Sequence, residues 1–135
     1  MSDTENQRHL ALKAMMMPRD TNAYGTIFGG ALLSYVDQAG AVGAAHEIRK
    51  AGWTEKPVVT VAMDSVELHE PVFVGNIVSF WTNLVRIGNT SITIHVDVEA
   101  ERDGQTINLT QANVTYVAVD LQADKGRQAI SIREA

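Results

Sequence analysis

Residues 30–51 read Gly-Ala-Leu-Leu-Ser-Tyr-Val-Asp-Gln-Ala-Gly-Ala-Val-Gly-Ala-Ala-His-Glu-Ile-Arg-Lys-Ala, and this run decides the fold. Leu32, Leu33, Val36, Ala39, Gly40, Gly43 and Ala44 recur at three- and four-residue spacing, the period of an α-helix. Small residues at 39–41 and 43–45 let a sheet wrap closely around it, and Gly52 is placed to cap its C-terminus. The run is apolar on nearly all sides, so a single sheet covers only part of it. That predicts a dimer at least, built by strand-edge pairing and helix contacts. One acid, Asp37, stands where a buried helix expects a hydrophobe, a costly placement unless the carboxylate is paired, hydrogen-bonded or used. Gly29-Gly30 opens the run, and a helix N-terminus presents unpaired N–H groups at the positive end of its dipole. Such donors suit a developing oxyanion, so the segment points to acyl-transfer chemistry.

Outward from the helix the chain reads as strands. Residues 10–17 form a short apolar stretch stopped by Pro18, and 18–22 carry turn chemistry. Residues 58–68 alternate with a change of parity: Val59, Val61 and Met63 against Val66 and Leu68. A β-bulge near Asp64 and Ser65 would return one face to the core. Residues 71–75 turn into a strand over 77–86, and 87–89 turn again. Residues 90–101 alternate most cleanly, Ile92, Ile94, Val96 and Val98 against Thr93, His95, Asp97 and Glu99. Arg102-Asp103-Gly104 is a hairpin signal before a strand over 105–119. The layout is α+β, five antiparallel strands around one helix. A single domain over 8–120 is expected, with polar, loosely ordered tails over 1–7 and 121–135.

Composition sets bounds. With 135 residues, 45% hydrophobic and 20% charged, the chain reads as one soluble globular domain. The formal charge is −5 and no Lys/Arg stripe exists, which argues against nucleic-acid or anionic-membrane partners. No cysteine is present, so disulfides, thiolate metal sites and a Cys nucleophile are excluded. No apolar stretch has the length of a membrane span, and the polar first residues are unlike a signal or transit peptide. A cytoplasmic location is expected. His9, His46, His69 and His95 show no metal or triad spacing. Trp53 and Trp81 read as packing residues, and Met15-Met16-Met17 as adaptable core or interface filling.

Four motifs carry a resemblance. They are Asn22-x-x-Gly25-x-x-Phe28-Gly29-Gly30-x-Leu32 with Asp37, Val59-Thr60-Val61, Pro71-Val72-x-x-Gly75, and Arg86-x-Gly88-x-Thr90-Ser91. In this order, over roughly 15–120, the chain resembles the hotdog-fold acyl-CoA thioesterases, in particular the YciA-like and cytosolic acyl-CoA hydrolase group. The resemblance implies hydrolysis of an acyl-CoA thioester to a carboxylic acid and coenzyme A, with no cofactor beyond the coenzyme A of the substrate. It assigns Asp37 as general base or nucleophile, the Gly29 N–H as oxyanion donor, Asn22 to position water or carbonyl, and Thr60 as a polar partner. Phe28 stands where many hotdog thioesterases have histidine, and Asn76 where an aspartate is frequent.

Those roles can be tested against helix geometry. Asp37 lies eight residues beyond Gly29, a separation of about 12 Å along one helix. A reacting carbonyl must lie about 3 Å from both base and donor. The site is therefore expected between two protomers, Gly29 and Asn22 from one and Asp37 and Thr60 from the other. Base catalysis by Asp37 is favoured over direct attack. The turn at Arg86, Gly88, Thr90 and Ser91 offers a guanidinium, backbone amides and hydroxyls suited to coenzyme A phosphates. Phe28 and Gly30 would border the substrate, with the acyl chain beside the helix. The assembly is expected to be a tetramer or hexamer. Two other readings stay open: a non-catalytic acyl-CoA-binding or sensor module, and a dehydratase or hydratase of the same fold. The second is weakened because no histidine lies between Asn22 and Asp37.

Overall fold

The computed structural model describes residues 8–64, 66–126 and 128–135, so the expected N-terminal tail, 1–7, lies outside the described residues. Strand β1 (His9–Met15) precedes a one-turn 3-10 helix (Pro18–Asp20) and helix α1 (Gly29–Lys50). Strands β2 (Val58–Asp64), β3 (Ile77–Ile87), β4 (Ser91–Arg102) and β5 (Gln105–Ala118) follow. They form one antiparallel sheet in the order β1-β3-β4-β5-β2, wrapped against α1 as the hotdog resemblance implied.

Alternation explains the layering. Val78 and Phe80, Ile92 to Ala100 at even positions, and Ala112, Val114, Tyr116 and Ala118 are buried on the face toward the helix. The helix answers with Leu32, Val36, Ala39, Gly40, Gly43, Ala44 and Ile48, one stripe at helical spacing. Fully burying each larger aliphatic side chain contributes roughly 1.5–3 kcal/mol. The small residues set the distance between layers: a Cβ added at Gly43 would sit 2.6 Å from Thr82 Oγ1. Val42, on the other side of α1, is 44% exposed in the single chain. Within Met15-Met16-Met17, Met16 is fully buried while Met15 and Met17 are exposed.

Two expectations are corrected. The bulge foreseen near Asp64 and Ser65 lies earlier, between Thr60 and Ala62, and Ser65 itself is outside the described residues. Thr60 pairs with Tyr116 and Met63 with Val114, so the extra residue, Val61, switches the inward parity from even to odd. The bulge thereby lets Thr60 face α1 while Met63 still packs on the core. The second correction concerns the last residues, 130–134, of the tail over 121–135, expected to be loose; Arg127 is outside the described residues. Ile132 is fully buried, its N–H donating to Asn89 O at 2.8 Å, and Thr54 N–H donates to Glu134 O at 2.6 Å. Arg133 donates to Ile87 O at 2.8 Å and to Gly88 O at 3.0 Å. The tail lacks a period because it caps the open end of the core with isolated apolar residues, Ile130 and Ile132. Among the described residues no helix is long and apolar enough to cross a membrane.

Candidate functional site

The ten residues singled out from sequence fall into two groups along α1. The first surrounds its N-terminus. Asn22 closes the preceding loop: its Oδ1 accepts from Tyr24 N–H at 2.8 Å and Thr26 N–H at 3.2 Å, and its Nδ2 donates to Thr26 Oγ1 at 2.8 Å. Gly25, at φ +86°, takes the left-handed conformation that completes this turn. The loop is pinned to the segments before β3 and after β1 by Ile27 N–H to Val72 O and Phe28 N–H to Asp20 O, both 2.7 Å. Asp20 is itself buried and accepts from Met17 N–H at 3.0 Å.

Phe28 is the N-cap in extended geometry, with no side-chain capping bond. The residue is 58% exposed and its ring lies over Gly30, where an added Cβ would come within 2.7 Å of it. Among the described residues the N–H groups of Gly29 and Gly30 meet no acceptor. They are the unpaired first donors of a 22-residue helix. Beside them lies a cavity of about 220 Å³, lined by Thr26, Ile27, Gly29, Leu32, Leu68 and Val72 among others.

The second group gathers two turns further along the helix. Asp37 is half-buried, and Thr60 Oγ1 donates to its Oδ1 at 2.7 Å. Tyr116, 1% exposed, donates to the Asp37 carbonyl at 2.7 Å and stands 3.2 Å from the same Oδ1. Among the described residues no hydrogen bond or ion pair reaches Oδ2. Burial, then the neighbouring Asp37 charge and hydrogen bond, pushes the Tyr116 phenol well above its ordinary range, so it stays a donor. Tyr116 is the residue that sequence reading missed. Its only signal was the pairing of a hydroxyl-bearing inward position with Gly40, one turn beyond Asp37, where a Cβ would collide with the phenolic oxygen.

Register links this group to the Arg86–Ser91 turn. Thr60 pairs with Tyr116, and Tyr116 with Ile92, the residue following Ser91. Gly88 N–H donates to Ser91 O at 2.8 Å, and Thr90 O accepts from Ala118 N–H at 2.9 Å. Arg86 is exposed at the strand end. Thus one chain brings Asp37, Thr60, Arg86, Gly88, Thr90 and Ser91 to one end of the sheet. It leaves Asn22, Phe28, Gly29 and Gly30 at the other. Both groups sit on or against one helix, so their separation is set by its rise, about 12 Å between Gly29 and Asp37.

A larger cavity, about 410 Å³, opens on the outer sheet face between Arg8, Lys13, Trp81 and Glu99, away from α1 and from both groups. On that face His95 has a polar partner at each ring nitrogen: Nδ1 lies 2.7 Å from Asn113 Oδ1 and Nε2 3.2 Å from Asp97 Oδ1.

Residues 24–107 match the family model described as the thioesterase superfamily. The acyl-CoA thioester hydrolase YciA of Escherichia coli strain K12 is 40% identical over 127 residues, covering 89% of this chain and 92% of that protein. A hexameric hotdog-fold thioesterase of Campylobacter jejuni is 44% identical, with a TM-score of 0.74 and 90% of each chain covered. A hexameric thioesterase of Yersinia pestis is 38% identical with a TM-score of 0.78, covering 91% of this chain and 94% of that one.

Proposed function

As the chain belongs to the thioesterase superfamily, we propose that it hydrolyses acyl-CoA thioesters to a carboxylic acid and free coenzyme A, at sites shared between two protomers. The observation that carries this reading is the placement of Asp37 and the Gly29 N–H. One is a carboxylate held through a single oxygen, the other an unpaired helix N-terminal donor, and one straight helix keeps them too far apart to act on the same carbonyl. A symmetric pair of helices running past each other supplies the missing half to each site.

In the proposed reaction Oδ2 of Asp37 takes a proton from water as the hydroxide oxygen bonds to the thioester carbon. The carbonyl oxygen becomes an oxyanion facing the Gly29 N–H, where the helix dipole adds to the hydrogen bond. The tetrahedral intermediate collapses with cleavage of the C–S bond, and the proton on Asp37 passes to the departing thiolate. Asn22, whose Nδ2 has one hydrogen beyond that given to Thr26, would steady the water or carbonyl. Arg86 with the Gly88, Thr90 and Ser91 turn would hold coenzyme A phosphates, Phe28 and Gly30 would border the thioester, and the apolar cavity beside Leu32 and Leu68 would receive the acyl group. The Campylobacter and Yersinia relatives are hexamers, and the same assembly is proposed for this chain.

Thiol-release kinetics over a short- to long-chain acyl-CoA panel test the reading. The wild type should turn over at least one member, and Asp37→Asn should lose on the order of 100-fold or more in kcat. Equal rates in the two proteins would remove Asp37 from the chemistry. Tight acyl-CoA binding without turnover would instead support a binding module.

A further inference from the structure

Tyr116 and Thr60 come from adjacent strands, pair across them, and converge on one carboxylate oxygen of a helix residue. We infer that Tyr116 is a positioning residue for Asp37: its hydroxyl, with that of Thr60, holds Oδ1 and leaves Oδ2 as the oxygen that meets water. This rests on the hydrolytic reading of the same site.

An ordinary core tyrosine needs only one acceptor for its hydroxyl, and the Asp37 carbonyl at 2.7 Å would suffice. Three further features go beyond that need. The phenolic oxygen also stands 3.2 Å from Oδ1, so the main chain and the side chain of Asp37 are held by one group. Thr60 donates to that same oxygen at 2.7 Å, and the bulge that follows it allows an edge-strand residue to face the helix there. Gly40 has no Cβ, and any other residue would drive the phenolic oxygen off the helix. With Thr60 donating to Oδ1 and the one phenolic hydrogen shared between the Asp37 carbonyl and that same oxygen, the carboxylate cannot turn about its last bond without breaking these contacts. Its free oxygen is thereby aimed before substrate arrives, which is what base catalysis requires.

The experiment compares kcat and KM of the wild type, Tyr116→Phe, Thr60→Val and the double variant, with the acyl-CoA the wild type turns over fastest. Tyr116→Phe keeps the ring and removes only the hydroxyl. Its kcat should fall about tenfold with KM within about twofold, and the double variant should lose more than either single one. Gly40→Ala, which keeps the phenol but displaces its oxygen, should show the same loss in kcat. Tyr116→Phe with kcat within about twofold of its parent, in both the wild-type and Thr60→Val backgrounds, would overturn the assignment. So would a loss that merely follows the folded fraction measured by circular dichroism at the assay temperature. A wild type without turnover would sink the hydrolytic reading instead. The positioning is then decided by the crystal structure of Tyr116→Phe: an Asp37 carboxylate turned away from Thr60 supports it, and one left in place overturns it.

Discussion

Thr60 Oγ1 and Asp37 Oδ1 are 23 positions apart in the chain and 2.7 Å apart in space, within one protomer. The bond ties the edge strand β2 to the middle of α1, while the helix N-terminal donors lie two turns away. In the proposed reaction, what reacts at Asp37 takes its oxyanion donor from a second copy.

Mixing protomers tests that sharing. Asp37→Asn and Gly29→Pro should each be inactive alone. Subunits exchanged at random between them should recover about a quarter of the wild-type rate, because half the dimers are mixed and each mixed dimer has one intact site. A mixture no more active than its components would place the whole site within one chain.

The donor itself is tested by two substitutions at Gly29. Proline is well tolerated at the first helical position, and Phe28 already has the extended geometry that a following proline needs. Gly29→Pro removes the N–H and adds a ring whose Cβ meets Leu68 Cδ1, as an alanine's would, and its kcat should drop on the order of 100-fold or more at nearly unchanged Tm. Gly29→Ala keeps the N–H, and its Cβ meets only Leu68 Cδ1 at 3.3 Å, a flexible and exposed neighbour. Its kcat should stay within a few-fold of wild type.

Arg86 at the β3–β4 turn should matter only to the nucleotide end of the substrate. Arg86→Ala should raise KM for acyl-CoA about tenfold while leaving kcat/KM unchanged for the same acyl group on N-acetylcysteamine, which has no phosphates. Equal losses on both substrates would assign Arg86 a structural role.

His95 should make stability depend on pH. Its pKa is raised above the ordinary 6.5, first by the hydrogen bond to Asp97, against burial and with help from Asn113 and Gln111. A raised folded pKa gives stability that is complete below the unfolded value and is lost as pH rises through the folded one. The Tm difference between wild type and His95→Gln should thus be larger near about pH 5.5 than near about pH 8.5. The difference is the quantity to measure, because burial and His46 shift His9 the opposite way. A difference that does not change with pH would contradict the His95–Asp97 bond.

The docked C-terminal segment predicts that Ile132→Ala costs about 2–5 kcal/mol, the range for emptying a buried aliphatic position. Denaturant unfolding monitored by Trp53 and Trp81 fluorescence measures it, and a loss below about 0.5 kcal/mol would mean the segment contributes little.

Period alone determined much of this molecule. The three-to-four spacing of Leu32, Val36, Ala39 and Gly43 defined a helix whose observed bounds differ by one residue at each end. Strict alternation defined β4, and the Arg102-Asp103-Gly104 hairpin signal defined β5, each within one residue at either end. Such patterns are legible because they are local: each side chain's direction follows from its own backbone geometry. The unusual acid in α1 and the glycine pair before it were legible for the same reason. What only tertiary structure decided depends on alignment between segments. The bulge sits beside Thr60 rather than Asp64 because the helix offers its partner there. Tyr116 reaches Asp37 because strand register sets it opposite Gly40. The aperiodic tail orders because Ile132 finds an uncovered end of the core. Each of these is a contact between residues distant in sequence, fixed by how the layers dock and invisible in the pattern of any one segment.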